Sequence, residues 1–277
     1  MMHTLTPLHA TTDSPAALVG KPLFASIAAW LTRFTDAGPP ALAALNTLRA
    51  EVAPATCSGG GAPIRFSAPD PAITSYEAHI FASGEVPTRS HDWHDAFNAL
   101  AWCAWPRSKA CCNRLHVEEI HARSAAGLGG RGPVRDALTQ FDECGIVVVS
   151  SAPEIPALLA AHEWEEVFWR RRQTLQHSTR FLIFGHGSWD QLRAPFFGLC
   201  AKALYRVVAP DWHTLDEPAR LADTDAWLAQ ELNTLRHRLS TRAFSPLPLL
   251  GIPGLTPANE SADYYADSRQ FRPRRQR

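Results

Sequence analysis

Residues 91–98 read HDWHDAFN, placing two imidazoles, two carboxylates and a carboxamide within about two helical turns. A helix face in contact with water usually carries Lys, Glu, Gln or Arg, whose long chains cost little helix propensity. None of these four occurs from residue 91 to residue 105. At 100° per residue, Trp93, Ala96, Phe97, Leu100 and Ala104 share one side, which reads as the core stripe. His91, His94, Asp95, Asn98, Trp102 and Trp105 share the other. Two indoles on that side imply that it is sheltered from bulk water, where polar groups must find partners. Imidazoles and carboxylates are the donors of a divalent-metal site and also the groups of acid–base hydrolysis. His91, His94, Asp95 and Asn98 are therefore the candidate catalytic residues, and His94, Asp95 and Asp136 the candidate ligands of a divalent metal. A plainer reading competes with this one. In it, His91, Asp92 and Asp95 serve as capping and first-turn groups, and Asn98 tethers a neighbouring backbone.

Cationic side chains follow within forty residues. Pro106 breaks the first helix and suits the start of a second, on which Lys109, Asn113, His116 and Arg123 fall on one side with Ile120. After the run GLGGRG at 127–132, Pro133 fits the first turn of a third helix. Free backbone N–H groups there, with Arg131 and Arg135 as clamps, could receive an anion. His186 stands between Gly185 and Gly187 ahead of another helical stretch, a context that allows close backbone approach and an aimed imidazole. Lys109, His116, Arg131, Arg135 and His186 are accordingly the candidate substrate-binding residues for an anionic, phosphate-bearing small molecule. The plain alternatives are a flexible glycine connector, solvated cations and a turn histidine bonded to backbone.

Other chemistries find less support. The glycine run lacks the Gly-Lys-Ser/Thr of a P-loop and follows no strand, as a dinucleotide fingerprint would. No Gly-x-Ser-x-Gly elbow is present; residues 185–188 only echo it. The six cysteines include no C-x-x-C pair and read as small buried thiols of a reducing compartment. With 27 basic and 27 acidic residues the formal net charge is zero, so the whole chain has no electrostatic reason to seek nucleic acid or an anionic membrane. The basic C-terminal residues could touch nucleic-acid phosphates, but no aromatic interleaving accompanies them. No apolar run approaches the roughly 18 residues that a membrane span requires, and the N-terminus lacks a signal-peptide pattern. The expected location is cytoplasmic.

The elements that must position these groups can be read coarsely. Apolar spacing of three and four predicts helices over residues 24–34, 41–51, 156–175 and 217–239, and another from 187 past 204. A helix-rich middle spans 91–142. Alternation predicts short strands at 64–67 and 76–81, and the β-branched block at 146–149 a buried strand. The proline-rich segment 245–254 reads as an extended wrap over the core. The fold expected is α+β and predominantly helical: one helix-rich domain with a few short strands. Its limits are residues 18–265, with a disordered arm at 1–17 and a loose basic tail at 266–277.

Several blocks together resemble an uncharacterised bacterial family, domain of unknown function three-zero-two-five. They are WHDAFNAL at 93–100, WPRSK at 105–109, NRLH at 113–116, RGPVRDAL at 131–138, FDE at 141–143, FGH at 184–186, PLPLLGIPG at 246–254 and FRP at 271–273. The resemblance covers roughly residues 76–273. It implies one continuous domain and transfers no activity, cofactor or substrate. Asp92 and Cys144 stand where family members usually carry Asn, and the first change keeps helix-capping capacity.

Two functional expectations follow. One is a metal-assisted or acid–base hydrolase acting on an anionic substrate. The other is a non-catalytic binding or scaffold protein whose His, Asp and Asn groups cap helices and knit the core. Convergence of His91, His94, Asp95, Asn98, His116, Asp136 and His186 on one point would favour the first; scatter would favour the second.

Overall fold

The computed structural model describes residues 11–274. The disorder expected of residues 1–10 and the looseness expected of 275–277 concern segments outside the described residues. Three helices, α1 (Pro15–Leu18), α2 (Ala25–Leu31) and α3 (Leu42–Val52), precede a short parallel pair of strands, β1 (Arg65–Ser67) and β2 (Glu85–Pro87), which flank α4 (Tyr76–Ser83). Three consecutive helices form the centre: α5 (Trp93–Ala104), α6 (Pro106–Ala125) and α7 (Gly132–Cys144). From there the chain passes through β3 (Gly145–Ser150), α8 (Glu154–Ala161), a π-turn (Glu166–Arg170), α9 (Arg172–Ser178), β4 (Thr179–Ile183), α10 (His186–Leu192) and β5 (Cys200–Val207). The last elements are α11 (Glu217–Leu235) and β6 (Ser245–Pro248). This is a helix-rich α+β architecture with a few short strands.

The larger sheet has the order β4-β3-β5-β6, in which β3 runs antiparallel to β4 and parallel to β5. Every residue of β3 is buried, as a run of Ile146, Val147, Val148 and Val149 in a central strand requires. The buried apolar side chains form one contiguous core from Leu18 to Phe271. Leu18 is the first residue of the expected domain, and Phe271 lies in the tail expected to be loose. The turn Pro15–Leu18 buries Leu18 completely, and Phe271 docks among Tyr264 and Tyr265.

Three expectations are corrected. The stretch expected as a strand at 76–81 is the helix α4, closed by Gly84 in the left-handed conformation (φ 73°). Its apparent alternation comes from Ala78 and His79, which carry no strand preference, and only Ile80 is fully buried. The helix expected to run from 187 past 204 stops at Leu192, because Pro195 and Gly198 break it. The chain then enters β5 beside β3. The single helix expected at 156–175 is interrupted at His162, which adopts φ 64° and ends α8. Its inward residues Leu159, Trp164, Phe168 and Leu175 are nevertheless all buried.

The indoles behave as their placement beside polar groups implies. Trp102 is 2% exposed and Trp105 is fully buried, with its Nε1–H donating to the carbonyl of Ile183 at 2.9 Å. On the polar side of α5, Asn98 and Trp102 are buried while His94 stays partly exposed.

Candidate metal centre

His94, Glu143 and His186 come together although they are 49 and 43 residues apart in sequence. Each sits at an element boundary. His94 is the second residue of α5, which begins at an Asp92 cap whose carboxylate accepts from the Asp95 N–H at 3.0 Å. Glu143 lies at the C-terminal end of α7, immediately before β3. His186 opens α10 directly after β4. Because β3 and β4 are paired, the end of α7 and the start of α10 emerge from the same edge of the sheet.

Two glycines make that approach tight. A Cβ on Gly185 would lie 2.3 Å from the Gly145 nitrogen and 2.6 Å from the Glu143 carbonyl carbon. One on Gly187 would lie 2.6 Å from Glu143 Oε2. Both distances are far inside van der Waals contact, so the GHG triplet is what lets His186 sit against Glu143.

The donor atoms form a compact triangle. His94 Nε2 and His186 Nε2 are 3.1 Å apart, and Glu143 Oε1 lies 3.8 Å from the first and 3.7 Å from the second. A tetrahedral ion with bonds of about 2.0–2.2 Å keeps its ligand atoms roughly 3.3–3.6 Å apart. The triangle needs only small adjustments to match that. His186 is almost fully buried, whereas His94 and Glu143 are partly exposed and open onto solvent. Burial pushes His186 down to about 3, against the attraction of Asp142, so the imidazole is neutral at physiological pH. A neutral imidazole is the form that ligates metal.

A carboxylate stands behind this histidine. Asp142 Oδ2 lies 3.6 Å from His186 Nδ1, and Asp142 Oδ1 accepts from the Lys109 ammonium at 2.6 Å. Burial alone would raise the Asp142 carboxyl, but Lys109 and His186 together hold it below its ordinary range. Lys109 is 4% exposed, donates also to Asn98 Oδ1 at 2.9 Å, and lies 5.3 Å from the centre of the Trp102 ring. Asn98 in turn donates to the Tyr76 hydroxyl at 2.9 Å. The hydrogen-bonded chain Tyr76–Asn98–Lys109–Asp142 thus ends at a carboxylate 3.6 Å from His186 Nδ1, which is itself buried without a hydrogen bond.

The cluster forms the floor of a cleft of about 600 Å³. Asp95, Asn98, His116, Arg131 and Arg135, all expected as site residues, line it, together with Tyr76, Glu77, Arg89 and Thr139. The side chains differ in how free they are. Asp95 is committed to Arg89, accepting from its backbone N–H at 2.7 Å and from its guanidinium at 2.9 Å twice. Lys109 lies beneath the cleft with both contacts internal. His91 is exposed, with φ 60°, and does not reach the cleft lining. Asp136, expected among the metal ligands, is exposed and pairs with Arg131 at 3.5 Å; it is on the same side of α7 as Glu143 but seven residues earlier, about 10 Å along the helix axis. The arrangement therefore gathers His94 and His186 from the expected set and adds Glu143 and Asp142. Among the described residues, this is the grouping of three or more potential ligands with metal-compatible spacing.

No helix of the described residues is long and apolar enough to cross a membrane. No curated protein and no solved structure matches the chain. A family described as "Protein of unknown function (DUF3025)" matches residues 64–275, a span that contains every residue of the cleft. The chain belongs to that family.

Proposed function

We propose that the protein is a divalent-metal-dependent hydrolase acting on an anionic, phosphate-bearing substrate in the α5–α7–α10 cleft. The observation that carries this reading is the triangle of His94 Nε2, His186 Nε2 and Glu143 Oε1 at the floor of an open cleft. Three protein donors leave one or two coordination positions for water and substrate, the arrangement of a catalytic rather than a structural site. A bound ion would polarise its water toward hydroxide. Held by His94, His186 and Glu143, such an ion would supply the activated water for hydrolysis, in which the water oxygen would replace the leaving atom at the electrophilic centre and the leaving atom would take up the proton. Asn98 and Tyr76 lie on the cleft wall where they can orient water or substrate.

The competing reading is a purely structural tie. In it the 3.1 Å contact between the two imidazoles is a hydrogen bond that pins α5 to α10. Metal analysis separates the two. After incubation with a small molar excess of Zn²⁺, Mn²⁺ or Fe²⁺ and dialysis to remove the free ion, the protein is expected to retain about one ion per chain. His186→Ala and Glu143→Gln are expected to lose it by a hundredfold or more in affinity. Absence of any retained ion, or retention unchanged in both variants, would leave only the structural tie.

A further inference from the structure

We propose that the N-terminal half of α7 forms a second site, which binds a phosphate group independently of the metal, so that the substrate's phosphate is a handle held away from the reacting bond. The inference rests on the reading above for what happens at the far end of the cleft, but the site itself does not require it. Along α7, Arg135, Thr139, Asp142 and Glu143 follow at spacings of four, three and one, so they share one stripe facing the cleft. Eight residues at about 1.5 Å each put the backbones of Arg135 and Glu143 ~12 Å apart. One pole of the cleft therefore collects ligands for a cation, and the other collects cations.

His186 Nδ1 at the metal pole is buried without a hydrogen bond, so the two poles differ instead in whether a buried cation is already engaged. Lys109, the cation nearest the metal pole, spends its charge on Asp142. At the other pole, Arg135 has no ion-pair partner among the described residues, and its Nε is buried without a hydrogen bond. His116 is 3% exposed and lines the same cleft, and its Nδ1 also lacks a partner. A buried donor or acceptor left unpaired costs about 1–3 kcal/mol, so such groups in a native site call for an occupant. Two acids flank this pole: Glu77 accepts from the Asn113 amide at 2.8 Å, and Asp136 pairs with Arg131 at 3.5 Å, which leaves Arg135 as the unpaired cation of this pole among the described residues. Arg131 and Arg135 stand one turn apart around the first turn of α7, where Pro133 starts the helix and the helix's positive end lies. Two guanidinium forks at that spacing surround a tetrahedral oxyanion, whereas a carboxylate would occupy one fork. The glycine run before the helix is not slack either. Arg123 donates to the carbonyls of Gly129 and Gly130 and packs against Gly132.

The separation narrows the substrate class. A molecule that reaches both poles carries its phosphate on the order of 10 Å from the bond at the metal, the length of a nucleoside phosphate or a phosphorylated chain and not of a small phosphate ester.

Calorimetric titration of inorganic phosphate into the full chain, stripped of metal with a chelator, tests this at low ionic strength. One phosphate per chain is expected to bind without metal. Affinity should fall at least tenfold in Arg135→Met, fall by a smaller factor in Arg135→Lys and His116→Ala, and stay within twofold in Glu143→Gln. Acetate should bind at least tenfold more weakly than phosphate. Phosphate binding only after metal addition, unchanged affinity in both Arg135 variants, or equal binding of acetate would overturn the inference. Loss of metal binding with phosphate binding intact would remove the hydrolase reading while leaving the phosphate site standing.

Discussion

Two concavities of this molecule invite comparison. The cleft between α5, α7 and α10 measures about 600 Å³; a larger one of about 820 Å³ lies under the C-terminal wrap, between Trp164, Pro246, Pro248 and Arg272. The larger pocket is lined by prolines, an indole, one imidazole, a thiol and arginines, and no carboxylate of the described residues lines it. The smaller cleft draws acids, imidazoles and guanidinium groups from five helices onto one volume. Space follows from how chains cross, whereas chemistry requires donors brought from separate elements to one point. The second property marks the site.

That contrast can be broken or sharpened by perturbing each side in turn. The largest expected effect is at the support of the metal pole. Lys109→Met leaves Asp142 without its cation in a largely buried position, which costs about 3–5 kcal/mol. The same change frees the carboxylate behind His186, and metal affinity should fall by roughly 10–100-fold. Thermal unfolding and metal titration of the one variant check both; a stable variant with unaltered metal affinity would detach Lys109 from the site. Trp164→Ala addresses the other concavity. Trp164 is 5% exposed, stacks on His162 and Phe168, and donates its Nε1–H to the Arg272 carbonyl at 2.8 Å. Its loss should cost about 3 kcal/mol, while metal and phosphate affinities remain within twofold. A parallel loss of ligand binding would show that the wrap and the cleft are one functional unit.

A smaller effect is expected from acid. The folded state holds His186 near 3, below the value of about 6.5 that it has when unfolded. Above about pH 6.5 neither state carries the proton and the stability is complete. As pH falls below that value, the unfolded chain takes up a proton that the folded one refuses, and stability declines until about pH 3. His116, lowered by its burial, acts in the same direction. Asp142 does not contribute in this window, because a carboxyl held below its ordinary range loses its stabilising effect only under about pH 4. By pH 5 the loss at His186 is roughly 2 kcal/mol. Urea midpoints at pH 7.5 and pH 5 in metal-free buffer should show this drop, and His186→Gln should flatten it. Equal midpoints in the parent chain would contradict the burial of a neutral imidazole.

Much of this arrangement can be read from residue types. The pairing of Trp102 and Trp105 with His94 and Asn98 on one helical side identifies a covered polar face, because indoles are seldom left in water. The glycines around His186 announce a close neighbour, although not which one. What periodicity cannot supply is the partner across the fold. Asp142 and Glu143 look like ordinary acids at the end of a helix until the β3–β4 pairing brings that end beside Gly185. Asp136 looks equally eligible as a ligand and shares a side of α7 with Glu143, yet it lies about two turns earlier and pairs with Arg131. Tyr76 and Glu77 are obscured differently: read as a strand, residues 76–81 would aim them to opposite sides, whereas α4 turns both toward the cleft. The β5 segment was hidden because Ala201, Ala203 and Leu204 suit either a helix or a strand, and only its parallel alignment beside β3 decides between them.

The account stands most directly on where an ion binds. Crystals of the full chain soaked in Zn²⁺ and measured at the zinc absorption edge should give an anomalous peak about 2.0–2.2 Å from His94 Nε2, His186 Nε2 and Glu143 Oε1, with Asp142 retained against His186 Nδ1. A peak at other residues, or a map in which the two imidazoles remain bonded to each other with no ion between them, would contradict it.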